Sequence, residues 1–278
     1  MKNDLFSIGK FVIHGYGLMI ALGFFFCVLL AMHRAKKRAL SADAVIDVAL
    51  YGIIAGFLGA KLLYLIVEWK ELFSDPLAVL GSEGFVVYGG VIAGVLCGYF
   101  YCRRKKLSFL AYFDLAAPSI ALAQGFGRIG CFLAGCCYGK ETTGWFGVVF
   151  PAGSMAPSGV RLIPTQLLSS AGDFVILAAL LFYAGRERKK GTVGALYMIL
   201  YGIGRFVVEF FRGDERGGIG MLSTSQLISL VIVAGGTALF LRDRFFQEKS
   251  KLIQEPEQGA NQKVAQEMDA EPEPKKEE

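Results

Sequence analysis

The sequence predicts an all-α polytopic membrane protein of about seven transmembrane helices, and three observations carry that reading. Of the 278 residues, 54% are hydrophobic and 23 are phenylalanine, with a mean hydropathy of +0.48. That is too apolar for a soluble domain of this length. Apolar runs of roughly 17–25 residues recur along the chain, each long enough to cross a bilayer as a helix. Basic clusters follow every second run, as cytoplasmic loops do. The net charge of +5 is no nucleic-acid signal, because the basic residues come in short clusters between apolar runs.

The first run, 15–33, could pass for a signal peptide, but it is followed by His33-Arg34-Ala35-Lys36-Lys37-Arg38 with no small-residue cleavage site before that cluster. It reads as a retained first span. The second (44–66) and third (86–102) carry Gly52, Gly56, Gly59 and Gly89, Gly90, Gly94, Gly98, which make small-residue faces for close helix packing. The fourth (112–134), fifth (164–184), sixth (191–212) and seventh (221–241) follow. Basic clusters come after the first, third (Arg103 to Lys106), fifth (Arg186 to Lys190) and seventh (Arg242, Arg244). The positive-inside rule then puts the N-terminus outside and the C-terminus in the cytoplasm. A membrane domain is expected over 1–246. The Glu-, Lys-, Gln- and Pro-rich stretch 247–278 buries too little to fold and is expected to be a disordered, charged cytoplasmic tail.

The chemistry is expected in the ionisable residues inside the spans. Arg205, Glu209 and Arg212 are spaced by four and seven residues, which puts them on one face of a sixth-span helix. A charged side chain near the bilayer centre costs about 2.5–3.5 kcal/mol on insertion scales, so three on one stripe must face protein, water or a charged ligand. Two arginines around one glutamate leave a net positive pocket that suits a phosphate. The bland alternative is an internal ion pair, with Arg212 snorkelling to the interface. Arg128, flanked by glycines in Gln124-Gly-Phe-Gly-Arg128, lies near the outer end of the fourth span and could meet Arg205 and Glu209 in the outer half of the bilayer. Arginine pairs with phosphate through planar, bidentate hydrogen bonds, so two converging arginines suggest a phospholipid head-group site. Gly89-Gly90 either pack helices or open backbone amides to a ligand. Lys61 either adds to the head-group field or forms an ion pair with Asp114 or Glu68. Asp47 and Asp173 are read as span-end residues without a special role.

Seven motifs in order resemble one family: Ile13-His-Gly-Tyr-Gly-Leu-Met19, Gly59-Ala-Lys-Leu-Leu-Tyr64, Tyr88-Gly-Gly-Val-Ile-Ala-Gly94, Asp114-Leu-Ala-Ala-Pro118, Gly127-Arg-Ile-Gly-Cys-Phe132, Pro164-Thr-Gln-Leu167 and Tyr201-Gly-Ile-Gly-Arg-Phe-Val-Val-Glu-Phe-Phe-Arg212. Together they resemble phosphatidylglycerol–prolipoprotein diacylglyceryl transferase, over essentially the whole chain except the tail. The resemblance implies a multi-pass enzyme of the bacterial inner membrane, working without cofactor or metal. Its partners would be phosphatidylglycerol, lipobox-containing preprolipoproteins and the bilayer, with no nucleic acid. It would move the diacylglyceryl group onto the lipobox cysteine and release glycerol 1-phosphate. Arg128 and Arg205 would hold the charge that develops on the leaving phosphate, Glu209 would orient an arginine, and Arg212 would guard the outer opening. Tyr16 would touch the head group or anchor the interface. Gly89, Gly90, Gly130, Gly139 and Lys61 would complete the substrate site.

Three departures stand out. Tyr88 replaces a family histidine that is a candidate general base, which leaves Tyr88 as a tentative base, or none needed. Cys131 stands where an asparagine is common, with Cys136 and Cys137 nearby; the chain lacks the paired spacings and histidines of a zinc site, so packing or a disulfide is expected rather than a metal. Leu168-Ser169 stands where the family tends to have Tyr-Glu, so that carboxylate is missing or supplied elsewhere. An anion transporter and an inactive lipid-binding homologue are the rival readings. The transporter is disfavoured because no inverted repeat or matched pair of broken helices is visible.

Overall fold

The computed structural model describes residues 4–8, 11–82, 84–214, 218–219 and 222–242. The expected tail, 247–278, lies outside the described residues. After a hairpin of β1 (Asp4–Ile8) and β2 (Phe11–His14), the chain is helical: α1 (Gly15–Lys37), α2 (Ala42–Val67), the short α3 (Trp69–Ser74) and α4 (Pro76–Gly81), α5 (Val87–Arg104) and α6 (Phe109–Ala134). Two-residue strands β3 (Val148–Val149) and β4 (Arg161–Leu162) pair in the following loop, before α7 (Thr165–Tyr183) and α8 (Thr192–Glu209). A last small hairpin, β5 (Gly218–Ile219) with β6 (Leu222–Ser223), leads into α9 (Thr224–Arg242).

Helix ends follow local sequence. Ser41 caps α2 by accepting from the Ala44 N–H at 3.1 Å. Gly135 ends α6 with φ 75°, a left-handed turn that glycine adopts without strain. Arg34, Lys36 and Lys37 close α1 where cations favour the helix dipole. Among the described residues six helices, α1, α2, α6, α7, α8 and α9, are long and apolar enough to cross a membrane. The expected third span forms α5, which has the length but not the hydropathy. Arg103, Arg104 and three tyrosines dilute its aliphatic residues. The expected sixth span stops short, since α8 ends at Glu209.

Packing puts α6 in the centre, against α1, α7 and α8, while α2 and α5 form a pair of their own. The α2–α5 pair relies on small residues: a Cβ on Gly89 would run into the Gly59 carbonyl, and one on Gly90 would lie 2.8 Å from the Gly56 oxygen. Phe57, Leu58 and Leu62 on α2 remain more than 60% exposed. A water-soluble fold would bury them, so this face is made for lipid.

The two ends of the bundle differ. At the basic end Arg34 donates to the Leu115 carbonyl (2.6 Å) and Arg38 to that of Ala184 (2.8 Å). Asp114 does not pair with Lys61. It accepts from the N–H groups of Gly191 (2.6 Å) and Gly194 (2.7 Å), placing a carboxylate on the N-terminus of α8. At the opposite, loop end the segment after α6 is stitched to α8. Gly139 donates to the Ile163 carbonyl (2.9 Å) and bridges to Arg212, while Lys140 donates to the Phe211 carbonyl (2.9 Å). Phe150, Ala156 and Leu162 bury a small core beneath the loop.

Candidate active site

Three helices, α6, α7 and α8, enclose a cleft of about 360 Å³, mouth included. Arg128 enters it from α6, Ser169 and Asp173 from α7, Tyr201 and Arg205 from α8. Gly172 and Gly204 also line it and leave room beside the charged groups. Tyr201 and Arg205 share a face because they are four residues apart on one helix. The predicted convergence of Arg128 and Arg205 is therefore found.

The two arginines are held differently. The Arg205 Nη1 lies 2.6 Å from the Glu209 Oε2, one turn further along α8, and both side chains are nearly buried. These two atoms touch as an ion pair but are not aligned as a hydrogen bond, so the hydrogen-bonding capacity of each remains unused. The Arg205 Nη2 donates to the Ser225 Oγ of α9 at 2.9 Å. Arg128 has no hydrogen bond or ion pair among the described residues. It lies within electrostatic reach of Asp173, Tyr201, Cys131 and Cys137. A desolvated guanidinium with no protein partner is unusual, and it leaves five N–H donors to offer a ligand.

Arg212 is the residue the spacing argument misplaced. Phe210 and Phe211 turn after α8, so Arg212 leaves the helical face, bridges to Gly139 and forms a bidentate pair with Asp214 (Nε to Oδ1 2.8 Å, Nη2 to Oδ2 2.7 Å). It is not among the residues that line the cleft. Burial disfavours its charge, but Asp214 and Cys137 more than offset that, holding the guanidinium above its ordinary range.

Several other expected site residues have structural duties. Gly89 and Gly90 pack α5 on α2. Gly130 lets α1 approach α6, its hypothetical Cβ 3.2 Å from the Tyr16 carbonyl and 3.3 Å from the Tyr16 ring. Tyr16 itself is 42% exposed beside that contact. Gly139 sits where a Cβ would lie 2.6 Å from the Ile163 oxygen and 2.8 Å from that of Phe211. Lys61 donates to the carbonyls of Ser82 (2.7 Å) and Val79 (3.1 Å) at the end of α4, with its ammonium 5.0 Å from the Tyr64 ring centre. It pairs with neither Asp114 nor Glu68. Tyr88, at the start of α5, is not among the cleft's lining residues.

The sequence reading missed Asp173 and Tyr201. Asp173 lies not at a span end but in the middle of α7, 5% exposed and without a hydrogen bond among the described residues. Ser169, where the family's glutamate is expected, lines the same cleft one helical turn earlier. The penalty for a carboxylate inside a span was the signal that pointed to Asp173. For Tyr201 it was the spacing of four residues from Arg205.

Beside the cleft, the sulfur atoms of Cys131, Cys136 and Cys137 all lie within 4.8 Å of one another, and none forms a disulfide. Hydrogen bonds from Cys131 and Cys136 and, against burial, one from Arg212 hold the Cys137 thiol well below the ordinary thiol range. Cys136 is pushed up by the same shared hydrogen bonds.

The sequence model of the family described as prolipoprotein diacylglyceryl transferase matches residues 3–242. The chain belongs to this family. A phosphatidylglycerol–prolipoprotein diacylglyceryl transferase of Clostridium tetani is 50% identical over 247 residues, covering 88% of this chain and 99% of the relative. One from Clostridium perfringens is 48% identical over 243 residues (86% and 94%), and one from Finegoldia magna 36% over 247 residues (87% and 96%). For a member of the diacylglyceryl transferase family, the arginine-lined cleft at the loop end of the bundle is the natural place to look for catalysis.

Proposed function

We propose that this protein transfers the diacylglyceryl group of phosphatidylglycerol to the thiol of a lipobox cysteine in a preprolipoprotein, at the outer side of the bacterial inner membrane. The observation that carries the reading is the cleft itself. Arg128, with no hydrogen bond or ion pair among the described residues, meets Arg205 there, and both can address one phosphate.

The reaction forms one bond and breaks one. The sulfur attacks the glycerol carbon bearing the phosphate ester, a C–S bond forms, and the C–O bond breaks with its electron pair going to the phosphate. The phosphodiester leaves as glycerol 1-phosphate with one further negative charge. Preorganised cations at that oxygen stabilise the transition state more than the ground state. Glu209 fixes Arg205, and Arg128 from α6 is the second arm of the clamp. The thiolate is the nucleophile, so the thiol proton must go to a base. Asp173, facing Arg128 from the next helix, supplies a carboxylate one turn from the position where the family's glutamate is expected, and we assign it that proton. Tyr88 has no part in this scheme. Orientation with the basic clusters in the cytoplasm follows the positive-inside rule and puts the cleft on the side where lipobox cysteines are exposed.

Incubating the purified protein with phosphatidylglycerol and a lipobox peptide tests the reading. It predicts a thioether-linked diacylglyceryl peptide and an equal amount of glycerol 1-phosphate, with neither from a peptide carrying serine for cysteine. A folded protein that binds the lipid and yields no thioether would overturn it.

A further inference from the structure

The three cysteines were expected to be packing residues or a disulfide, because their spacing resembles no zinc motif. Their geometry says more. Cys131 lies on the last turns of α6, Gly135 reverses the chain with φ 75°, and Cys137 takes φ 60°. A left-handed conformation costs a non-glycine residue about 1–3 kcal/mol and persists only where the surroundings impose it. Here α7 imposes it. Thr165 donates to the Cys137 carbonyl (2.9 Å), and Gln166, 1% exposed, donates to that of Cys136 (2.7 Å). The other end of that amide, the Gln166 Oε1, is buried without a partner among the described residues. Two consecutive residues are thereby clamped with their sulfurs turned towards Cys131, all three partly accessible.

We propose that Cys131, Cys136 and Cys137 form a three-thiolate site for a thiophilic divalent cation of the zinc class, with its fourth position open to the substrate thiol. Three sulfurs bound at about 2.3 Å stand roughly 3.8–4.0 Å apart around one cation. The observed separations, within 4.8 Å, need only small side-chain rotations to reach that. Soft thiolates select this class of metal over hard cations. Three protein ligands and an open position are the arrangement of sites that bind a further group, whereas a closed structural site uses four.

Charge supports the assignment. A divalent cation with three thiolates carries a net charge of −1, and Arg128 and the Arg212–Asp214 pair lie within reach of the sulfurs. Tyr16 is a further titratable group facing the cluster, from α1. Binding releases the thiol protons of the ligands. The metal would hold an incoming lipobox sulfur as thiolate one helical turn from Arg128, at the border of the phosphate cleft. The metal half of the proposal rests on the cluster alone, and the thiol half rests on the transferase reading.

Cobalt(II) is the probe, because its absorption reports both the number of thiolate ligands and the geometry. The reduced full-length protein in detergent is titrated with Co²⁺, then with lipobox peptide carrying cysteine or serine. The proposal expects one equivalent bound with a thiolate-to-metal charge-transfer band and tetrahedral ligand-field bands, displaced by Zn²⁺. Cys137→Ser should weaken binding by more than the roughly 10–100-fold that loss of a mere outer-shell partner costs, whereas Cys27→Ala with Cys97→Ala should leave the bands unchanged. The cysteine peptide should intensify the charge-transfer band and the serine peptide should not. No thiolate band although all six cysteines react as free thiols, a band that survives Cys137→Ser, or a disulfide within the cluster that persists through reduction would each overturn the metal site. A metal spectrum indifferent to the cysteine peptide would overturn the open position. None of these readings depends on turnover, so a failed transfer assay and a failed metal site are distinguishable.

Discussion

Replacing Arg128 with alanine should separate activity from stability. Arg128 makes no hydrogen bond or ion pair with the described protein, so no hydrogen-bond partner is orphaned, and Asp173 across the cleft, which loses a nearby positive charge, can take up a proton instead of staying buried and ionised. Folding should therefore change by no more than about 1 kcal/mol, the range of substitutions that break no named interaction. Activity should fall far more. A bidentate guanidinium offers two charge-assisted hydrogen bonds of roughly 1.5–3 kcal/mol each, and losing one donor to a developing oxyanion costs about 10²–10³ in rate. Water admitted to the enlarged cleft replaces part of the interaction, so a loss of about 10²–10³ in kcat/KM is expected for Arg128→Ala. Arg128→Lys, which keeps the charge without the fork, should recover part of it. The assay is thioether formation on a lipobox peptide, paired with thermal unfolding of the same preparation. Activity within threefold of the parent would refute the argument, and so would a loss explained by unfolding.

Glu209→Gln should affect both quantities, because it leaves Arg205 buried without its counter-charge at 2.6 Å; a drop towards the lower end of roughly 3–5 kcal/mol is expected, and an unchanged unfolding temperature would contradict it. Gly139→Ala should destabilise by about 1–3 kcal/mol, since the added methyl meets two backbone carbonyls at 2.6 and 2.8 Å; thermal unfolding measures this, and no change would show that the loop shifts freely. Asp173→Asn should lower the rate by about 10²–10⁴ and leave it rising with pH towards the ordinary thiol value of about 8.5, as the pre-ionised thiolate becomes the only nucleophile. A uniform loss at all pH would make Asp173 a positioning residue. Tyr88→Phe should keep the full rate across about pH 6–9, and a pH-dependent loss there would bring Tyr88 back as the base.

Much of this was legible in the sequence, for physical reasons. Charges inside apolar runs are penalised by the bilayer, so Arg128, Arg205 and Glu209 announced a shared site, and the structure brings the arginines to one cleft. Apolar run length located the spans and helix periodicity the charged stripe, but neither carried information about where a helix stops. Arg212 was placed on the α8 stripe, although the turn at Phe210 and Phe211 takes it to Gly139 and Asp214. Partners distant in sequence were also out of reach of pattern reasoning. Lys61 caps α4, and Asp114 caps α8 across about 80 residues of chain. Asp173 was overlooked because a lone carboxylate reads as a span-end residue until α6 and α8 close around it. The thiol cluster depends on two left-handed residues, Gly135 and Cys137, that no spacing rule anticipates.

The claim that Arg128 and Arg205 jointly hold a lipid phosphate is tested most directly by an experimental structure with phosphatidylglycerol bound. The account predicts the phosphate between α6, α7 and α8, within about 2.7–3.2 Å of nitrogen atoms on both arginines, with Asp173 on the side of the scissile carbon. A phosphate held elsewhere, for example against Lys61, with Arg128 still unpartnered, would contradict it.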